Sequence, residues 1–241
     1  MNIQKVNDLM RNGNGQLQVP VCFQKAIFGL DQAFVRKLAR KKARGLDIGC
    51  GVGALVNDLR ENRVNFEGID SLAPNKEYFM RQNVYGMKPF DGAIPRKDNF
   101  YDLVVAFQNT MLNRAFTLGG ILRNPARYGG SKREIEDHQN RMLCGQYIFY
   151  EGTRVLKSGA GARFLIYPEA KRIEEIIGAG ILRAQGIEVH SEDVERAVAR
   201  EYMEWELDHY GLKEEARDGF LEERYFDDWG LYKRTVVTKT R

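Results

Sequence analysis

The residues of this chain best suited to chemistry are the glycines of Leu46-Asp47-Ile48-Gly49-Cys50-Gly51-Val52-Gly53. The run follows a short apolar stretch and precedes a helical one, the setting in which a Gly-x-Gly-x-Gly turn has a mechanical use. Glycines take positive φ and let backbone N–H groups approach a ligand with no Cβ in the way, and a helix N-terminus adds favourable partial charge. A ligand with a carboxylate or phosphate suits such a turn. The spacing departs from the dinucleotide form, whose third glycine comes three residues after the second. The next strand, Asn65-Phe66-Glu67-Gly68-Ile69, finishes at Asp70, 17 residues after Gly53, where a carboxylate can accept both hydrogen bonds of a ribose diol. Loop and carboxylate together point to one nucleoside. The structural alternatives are that Asp47 caps the turn and Asp70 caps the following helix.

Other reactive side chains form no pattern. Cys50 stands near a helix start, which can lower a thiol pKa. A small side chain between two glycines also suits close ligand approach, and a catalytic thiol is not expected. Cys22, Cys50 and Cys144 are odd in number and far apart, and His138, His190 and His209 are isolated from them and from one another. No disulfide framework or metal site is expected. Gln108 and Asn109, just beyond an apolar strand, either orient a substrate or bond the local backbone.

The elements that must position these residues alternate. Ala43 to Ile48, Phe66 to Ile69, Tyr101 to Phe107 and Ala162 to Tyr167 read as strands. Ala54 to Glu61, Asn75 to Gln82 and Lys132 to Leu156 read as helices between them. Strand, helix, strand, helix predicts a parallel sheet covered on both faces. Upstream, Ile27, Leu30, Phe34 and Leu38 keep helical spacing, predicting one amphipathic helix from Phe23 to about Arg40. Downstream, Glu169 to Arg217 reads as mostly helical, with Ser191-Glu192-Asp193 as a helix start and a short strand over Gly186 to His190. Phe220 to Phe226 and Leu231 to Thr240 flank Asp227-Asp228-Trp229-Gly230, which predicts an antiparallel hairpin.

From Arg44 to about Tyr167 the sequence resembles the class I S-adenosylmethionine-dependent methyltransferases. Leu46 to Gly53 looks like the family's first motif and Ile69-Asp70 its ribose-binding strand end. Asp91-Gly92-Ala93-Ile94-Pro95 looks like its adenine-side segment, and Asn99 to Phe107 its central strand. Glu151 to Gly159 resembles the helix end and turn before the fifth strand. The resemblance implies an α/β, Rossmann-like, mostly parallel sheet with helices on both faces, a C-terminal antiparallel hairpin and a helical cap. It implies S-adenosylmethionine as cofactor and S-adenosylhomocysteine as product. By the same resemblance Asp47, Gly49 and Gly51 shape the pocket for the methionine portion, Asp70 holds the ribose, Asp91 takes the adenine amino group and Phe107 lines the transfer site. Cys50, Gly53, Ser71 and Gly92 complete the expected cofactor site. The family's amino-methylating tetrad, Asn or Asp followed by Pro-Pro and an aromatic residue, is absent after the central strand, which argues against adenine N6 or glutamine as acceptor.

At 241 residues, with 43% hydrophobic and 29% charged side chains, the chain fits one large domain with appended lids. Residues 1–20 are expected to form a flexible arm, 44–167 the cofactor-binding core, and 114–132 and 169–217 lid or cap elements. Ser191 to Asp228 holds 14 acidic and 5 basic residues, a balance of −9 that leaves +13 on the rest. The cations from Arg36 to Arg44 suit the C-terminus of a helix, or a phosphate-bearing partner. Leu103 to Phe107 is the longest apolar run, too short to span a bilayer, and the first residues lack a secretory centre. A cytoplasmic enzyme with a small-molecule acceptor, O or N, is expected, with no membrane partner. The alternatives are an RNA or protein methyltransferase, or a non-catalytic S-adenosylmethionine-binding subunit. His138, Tyr128, Tyr147 and His209 are candidate bases by residue type alone.

Overall fold

The computed structural model describes residues 19–51, 53–70, 84–86, 94–106, 149–166, 178–209 and 233–241. In chain order these form helices α1 (Val21–Ile27) and α2 (Gln32–Arg40), strand β1 (Arg44–Ile48), helix α3 (Ala54–Glu61), and strands β2 (Asn65–Asp70), β3 (Val84–Gly86) and β4 (Tyr101–Ala106). A helix α4, described over residues 149–155, leads into β5 (Leu156–Ile166), α5 (Ala179–Ala184), β6 (Ile187–Asp193), α6 (Arg196–His209) and β7 (Lys233–Lys239).

The seven strands make one sheet in the order β3-β2-β1-β4-β5-β7-β6. β1 lies parallel to β2 on one side and to β4 on the other, with Leu46 level with Glu67 and Val104. β7 runs antiparallel between β5 and β6. This is the expected Rossmann-like α/β sheet with an antiparallel pair at its far edge. Alternate strand residues feed two cores. Leu46, Ile48, Val104, Ala162 and Phe164 pack with Phe149 and Val155 of α4 and Leu182 of α5. Phe66, Leu103, Val105 and Leu165 pack with α1, α2, α3 and α6. Both faces of β1 and β4 are therefore covered, as their continuous apolar character requires.

Four expectations change. The helix expected from Phe23 to Arg40 is two helices, because Gly29 takes φ +60° and Asp31 caps the second through Phe34 N–H at 2.7 Å. Its apolar positions are still the buried ones: Ile27, Leu30 and Leu38 are all in the core. Ser191-Glu192-Asp193 ends strand β6 instead of starting a helix, its backbone paired with Thr235, Arg234 and Lys233. The antiparallel partners of the last strand are β5 and β6, which occupy both its edges, so the hairpin expected with Phe220 to Phe226 has no free edge on β7 to join. Leu156 to Gly159, expected within the helix end and turn from Glu151 to Gly159, belongs to β5, whose pairing with β4 shifts register between Tyr101 and Leu103. Residues 220–226, the expected helix Asn75 to Gln82 and the expected lid 114–132 lie outside the described residues. Strand β3 was not anticipated; at three residues it is too short to show a period.

Candidate functional site

Strands β1 and β2 end side by side, and the glycine loop bridges them. Ile48 is level with Ile69, whose carbonyl accepts from Gly49 N–H at 2.8 Å and from Cys50 N–H at 3.3 Å. Gly51 N–H donates to Asp70 Oδ2 at 2.9 Å, and Gly53 N–H to Cys50 O at 2.9 Å. Gly49, Gly51 and Gly53 have φ of +78°, +57° and +81°, so all three occupy the left-handed region where a side chain costs energy. Gly53 then leads directly into α3.

The four described loop amides each donate within the protein. Two carboxylates stand beside the loop. Asp47, at the end of β1, is 2% exposed and Asp70, at the end of β2, 9%. Asp47 Oδ1 is buried with no hydrogen-bond partner among the described residues. Burial first, and then the neighbouring Asp70 charge, pushes the Asp47 carboxyl up to about 8. A buried carboxylate held without a partner is costly, and an incoming cation would relieve it. Asp70 serves the loop through this bond to Gly51 N–H, which ties the end of β2 to the turn that follows β1.

Cys50 is not a nucleophile in this setting. Burial, Asp47 and Asp70 all push its thiol pKa upward, opposite to the effect of a helix start alone. Its sulfur fills space left by Gly68, where an added Cβ would lie 2.5 Å from Cys50 Sγ. Gly45 has the same function on β1, level with Phe66, since a Cβ there would lie 1.9 Å from the Phe66 ring. Neither glycine is singled out by sequence, because neither has a motif and the contact each permits is long-range.

Of the expected cofactor residues, the structure brings together Asp47, Gly49, Cys50, Gly51, Gly53 and Asp70. Ser71, Asp91, Gly92, Phe107, Gln108 and Asn109 lie outside the described residues, as do Tyr128, His138 and Tyr147. Ile94, two residues after Gly92, is buried in the core with β1 and β4. Aromatic side chains of α6 are packed: Tyr202 is fully buried and its ring lies 6.0 Å from Trp205 and 5.8 Å from Phe23. Among the described residues no three metal-ligating side chains cluster, and no helix is long and apolar enough to cross a membrane.

No protein family's sequence pattern matches the chain, and no curated protein is similar to it. Solved structures do share its outline. The plantazolicin methyltransferase BpumL, in complex with a pentazolic desmethylPZN analogue and S-adenosylhomocysteine, is 10% identical with a TM-score of 0.48, covering 100% of this chain and 92% of its own. An O-methyltransferase from a polyketide multienzyme of Brevibacillus brevis is 14% identical with a TM-score of 0.46, covering 94% and 81%. A TehB-like methyltransferase from Corynebacterium glutamicum is 15% identical with a TM-score of 0.43, covering 98% and 95%. At such identities and scores the likeness assigns neither activity nor acceptor to this chain.

Proposed function

We propose that this protein is an S-adenosylmethionine-dependent methyltransferase acting on the oxygen or nitrogen of a small molecule. The observation that carries the reading is the glycine loop beside two carboxylates: its described amides donate within the protein, while Asp47 and Asp70 stand at the ends of β1 and β2. Such a pocket repels the pyrophosphate of a dinucleotide and suits a nucleoside that carries positive charge. S-adenosylmethionine fits, since its sulfonium leaves it cationic overall although its ammonium is balanced by a carboxylate, and it carries a ribose diol on the same molecule. It supplies, when bound, an electrophilic methyl group.

The residues of the chain bind and orient. Asp47 would take the ammonium on its partnerless oxygen, Asp70 the ribose hydroxyls, and the left-handed backbone at Gly49, Gly51 and Gly53 keeps the loop close to the ligand. Ser71, Asp91, Gly92 and Phe107 would complete the cofactor site, with Asp91 reading the adenine amino group and Gln108 and Asn109 orienting the acceptor. Methyl transfer needs alignment and exclusion of water more than covalent help, in keeping with a site rich in positioning groups.

A small acceptor is favoured over a polymer by the placement of charge. The cations Lys37, Arg40, Lys41, Lys42 and Arg44 sit where α2 runs into the start of β1, whereas the loop leaves the other end of that strand. Five residues of strand, about 17 Å, separate them. The test is incubation with methyl-labelled cofactor and the small-molecule and polymer fractions of a cell extract. Label in the small-molecule fraction supports the reading, label confined to RNA or protein redirects it, and no label with no affinity for S-adenosylhomocysteine overturns it.

A further inference from the structure

Helices α2 and α3 stop in the same way. After α2, Lys42 N–H donates to Ala39 O and Ala43 N–H to Leu38 O, both at 3.0 Å. After α3, Arg63 N–H donates to Arg60 O at 2.8 Å and Val64 N–H to Leu59 O at 2.9 Å. Each is a Schellman stop, in which the residue just past the helix takes left-handed backbone and the next makes an apolar contact. Ala43 and Val64 are buried accordingly, and Lys42 and Arg63 have φ of +51° and +63°. Glycine is the usual occupant of that position, because a side chain there costs energy. This chain places an exposed cation at both. At the entry to β4 the left-handed residue is Asn99, a type that takes this backbone more readily.

The sheet sets these two cations side by side. Arg44 is level with Asn65 where β1 and β2 begin, so Lys42 and Arg63 stand two residues before a level pair, on strands about 5 Å apart. Lys37, Arg40 and Lys41 at the end of α2 and Arg60 at the end of α3 are exposed as well. Among the described residues none of these six cations has an ion-pair partner, whereas the carboxylates around them do. Asp58 pairs with Lys25 at 2.9 Å, Asp98 with Arg154 at 2.6 Å and Asp102 with Lys157 at 2.7 Å. Glu61 is the exposed carboxylate at the end of α3.

We infer that this edge of the sheet is a docking surface for the phosphodiester backbone of a nucleic acid, held by charge without reading the bases. A cation near a helix C-terminus is favourable, but Lys37, Arg40 and Arg60 supply that from helical backbone. The dipole does not call for side chains at the left-handed positions of Lys42 and Arg63, and strain kept at exposed cations points to a use for their charge. A phosphate chain suits the surface better than a protein does. Protein interfaces centre on apolar and aromatic side chains, and among the described residues the exposed large hydrophobic one is Ile181, on α5. Neutralising phosphates needs none. The surface and the glycine loop lie at opposite ends of β1, so the polymer is anchored away from the loop, and the inference does not depend on the cofactor proposed above.

The experiment titrates the full-length protein into fluorescein-labelled oligouridylate across a salt series, with unlabelled polyglutamate and phosphatidylserine vesicles as competitors. Wild type is expected to bind with a log–log salt slope of about −3 to −4, that of about five phosphates neutralised on a single strand. The double variant Lys42→Gly with Arg63→Gly is expected to lose about fivefold or more in affinity at low salt and about 1 to 1.5 of that slope. Its melting temperature should stay level or rise, since glycine suits both stops. Lys37→Gln with Lys41→Gln leaves the left-handed positions alone and carries the same comparison if the glycine variant melts lower. Arg196→Gln, an exposed cation at the start of α6, should leave affinity within about twofold. No binding by wild type, affinity unaltered in the variants or an equal loss in Arg196→Gln overturns the inference. Equal competition by polyglutamate or by vesicles also overturns it, and assigns the edge to an acidic protein or a membrane surface.

Discussion

Asp47 and Asp70 carry the proposed cofactor site, and each makes a separable prediction. Asp70→Ala is expected to weaken S-adenosylhomocysteine by about 1–3 kcal/mol, read by calorimetry. The loss combines the diol contact with release of Gly51 N–H. Unchanged affinity removes Asp70 from the site. Asp47 predicts a pH dependence. Its carboxyl is held up at about 8 in the folded protein, so between pH 4 and 8 the unfolded chain binds fewer protons and stability falls as pH rises. A bound ammonium favours the ionised form, so cofactor binding releases a proton below pH 8 and tightens as pH climbs to that value. Titrations in buffers of different ionisation enthalpy measure the proton, and Asp47→Asn should abolish both trends. Cys50→Ala should leave methyl transfer largely intact, because the buried thiol is held protonated by its acidic neighbours; complete loss with normal cofactor binding would contradict this. The glycines and Asp70 were legible in sequence because their meaning is local, a turn and a strand end. The internal use of the loop amides was not, since it depends on Ile69 and Asp70 arriving alongside.

Elements tell the same story at longer range. β1, α3, β2 and β4 follow their sequence patterns closely because each has a period, length and flanking turn of its own. The break between α1 and α2 was readable in principle from Gly29 and Asp31, a left-handed stop followed by an N-cap, yet the helical spacing of apolar residues runs straight through it. The spacing reported burial, which both helices share, and not continuity. Strand packing predicts that Gly45→Ala is disruptive, since the new Cβ would meet the Phe66 ring. Overpacking of this kind costs about 1–3 kcal/mol, and for a chain of this length each kcal/mol lowers Tm by about 2–4 °C. Combining it with Phe66→Leu should recover part of the loss. Strictly additive effects in the double variant would mean that the two positions do not interact.

For the whole molecule, the sheet separates charge as well as layers. Lys37, Arg40, Lys41, Lys42 and Arg44 gather at the start of β1, and the acidic carboxylates gather at its end. Lys42 even takes a left-handed φ of +51° to turn from α2 into the strand. Replacing Lys37, Lys41 and Lys42 with Ala is therefore expected to leave cofactor affinity and transfer to a small acceptor within about twofold of wild type, because charges this far apart are screened at physiological salt. If the variant loses activity together with a salt-sensitive affinity for RNA, the basic edge is a docking surface and the acceptor is a polymer.

The sequence by itself determined that a parallel α/β sheet carries a glycine loop at the end of β1 and a carboxylate at the end of β2, because strand period, turn glycines and strand ends are set within a dozen neighbouring residues. Tertiary structure alone decided that β7 threads between β5 and β6, that Gly45 and Gly68 make room for Phe66 and Cys50, and that Arg154 ties α4 to Ile94. Each of these joins residues far apart in the chain. It also decided that the described loop amides donate to Ile69, Cys50 and Asp70, since a backbone N–H is a free donor only until the fold brings an acceptor to it.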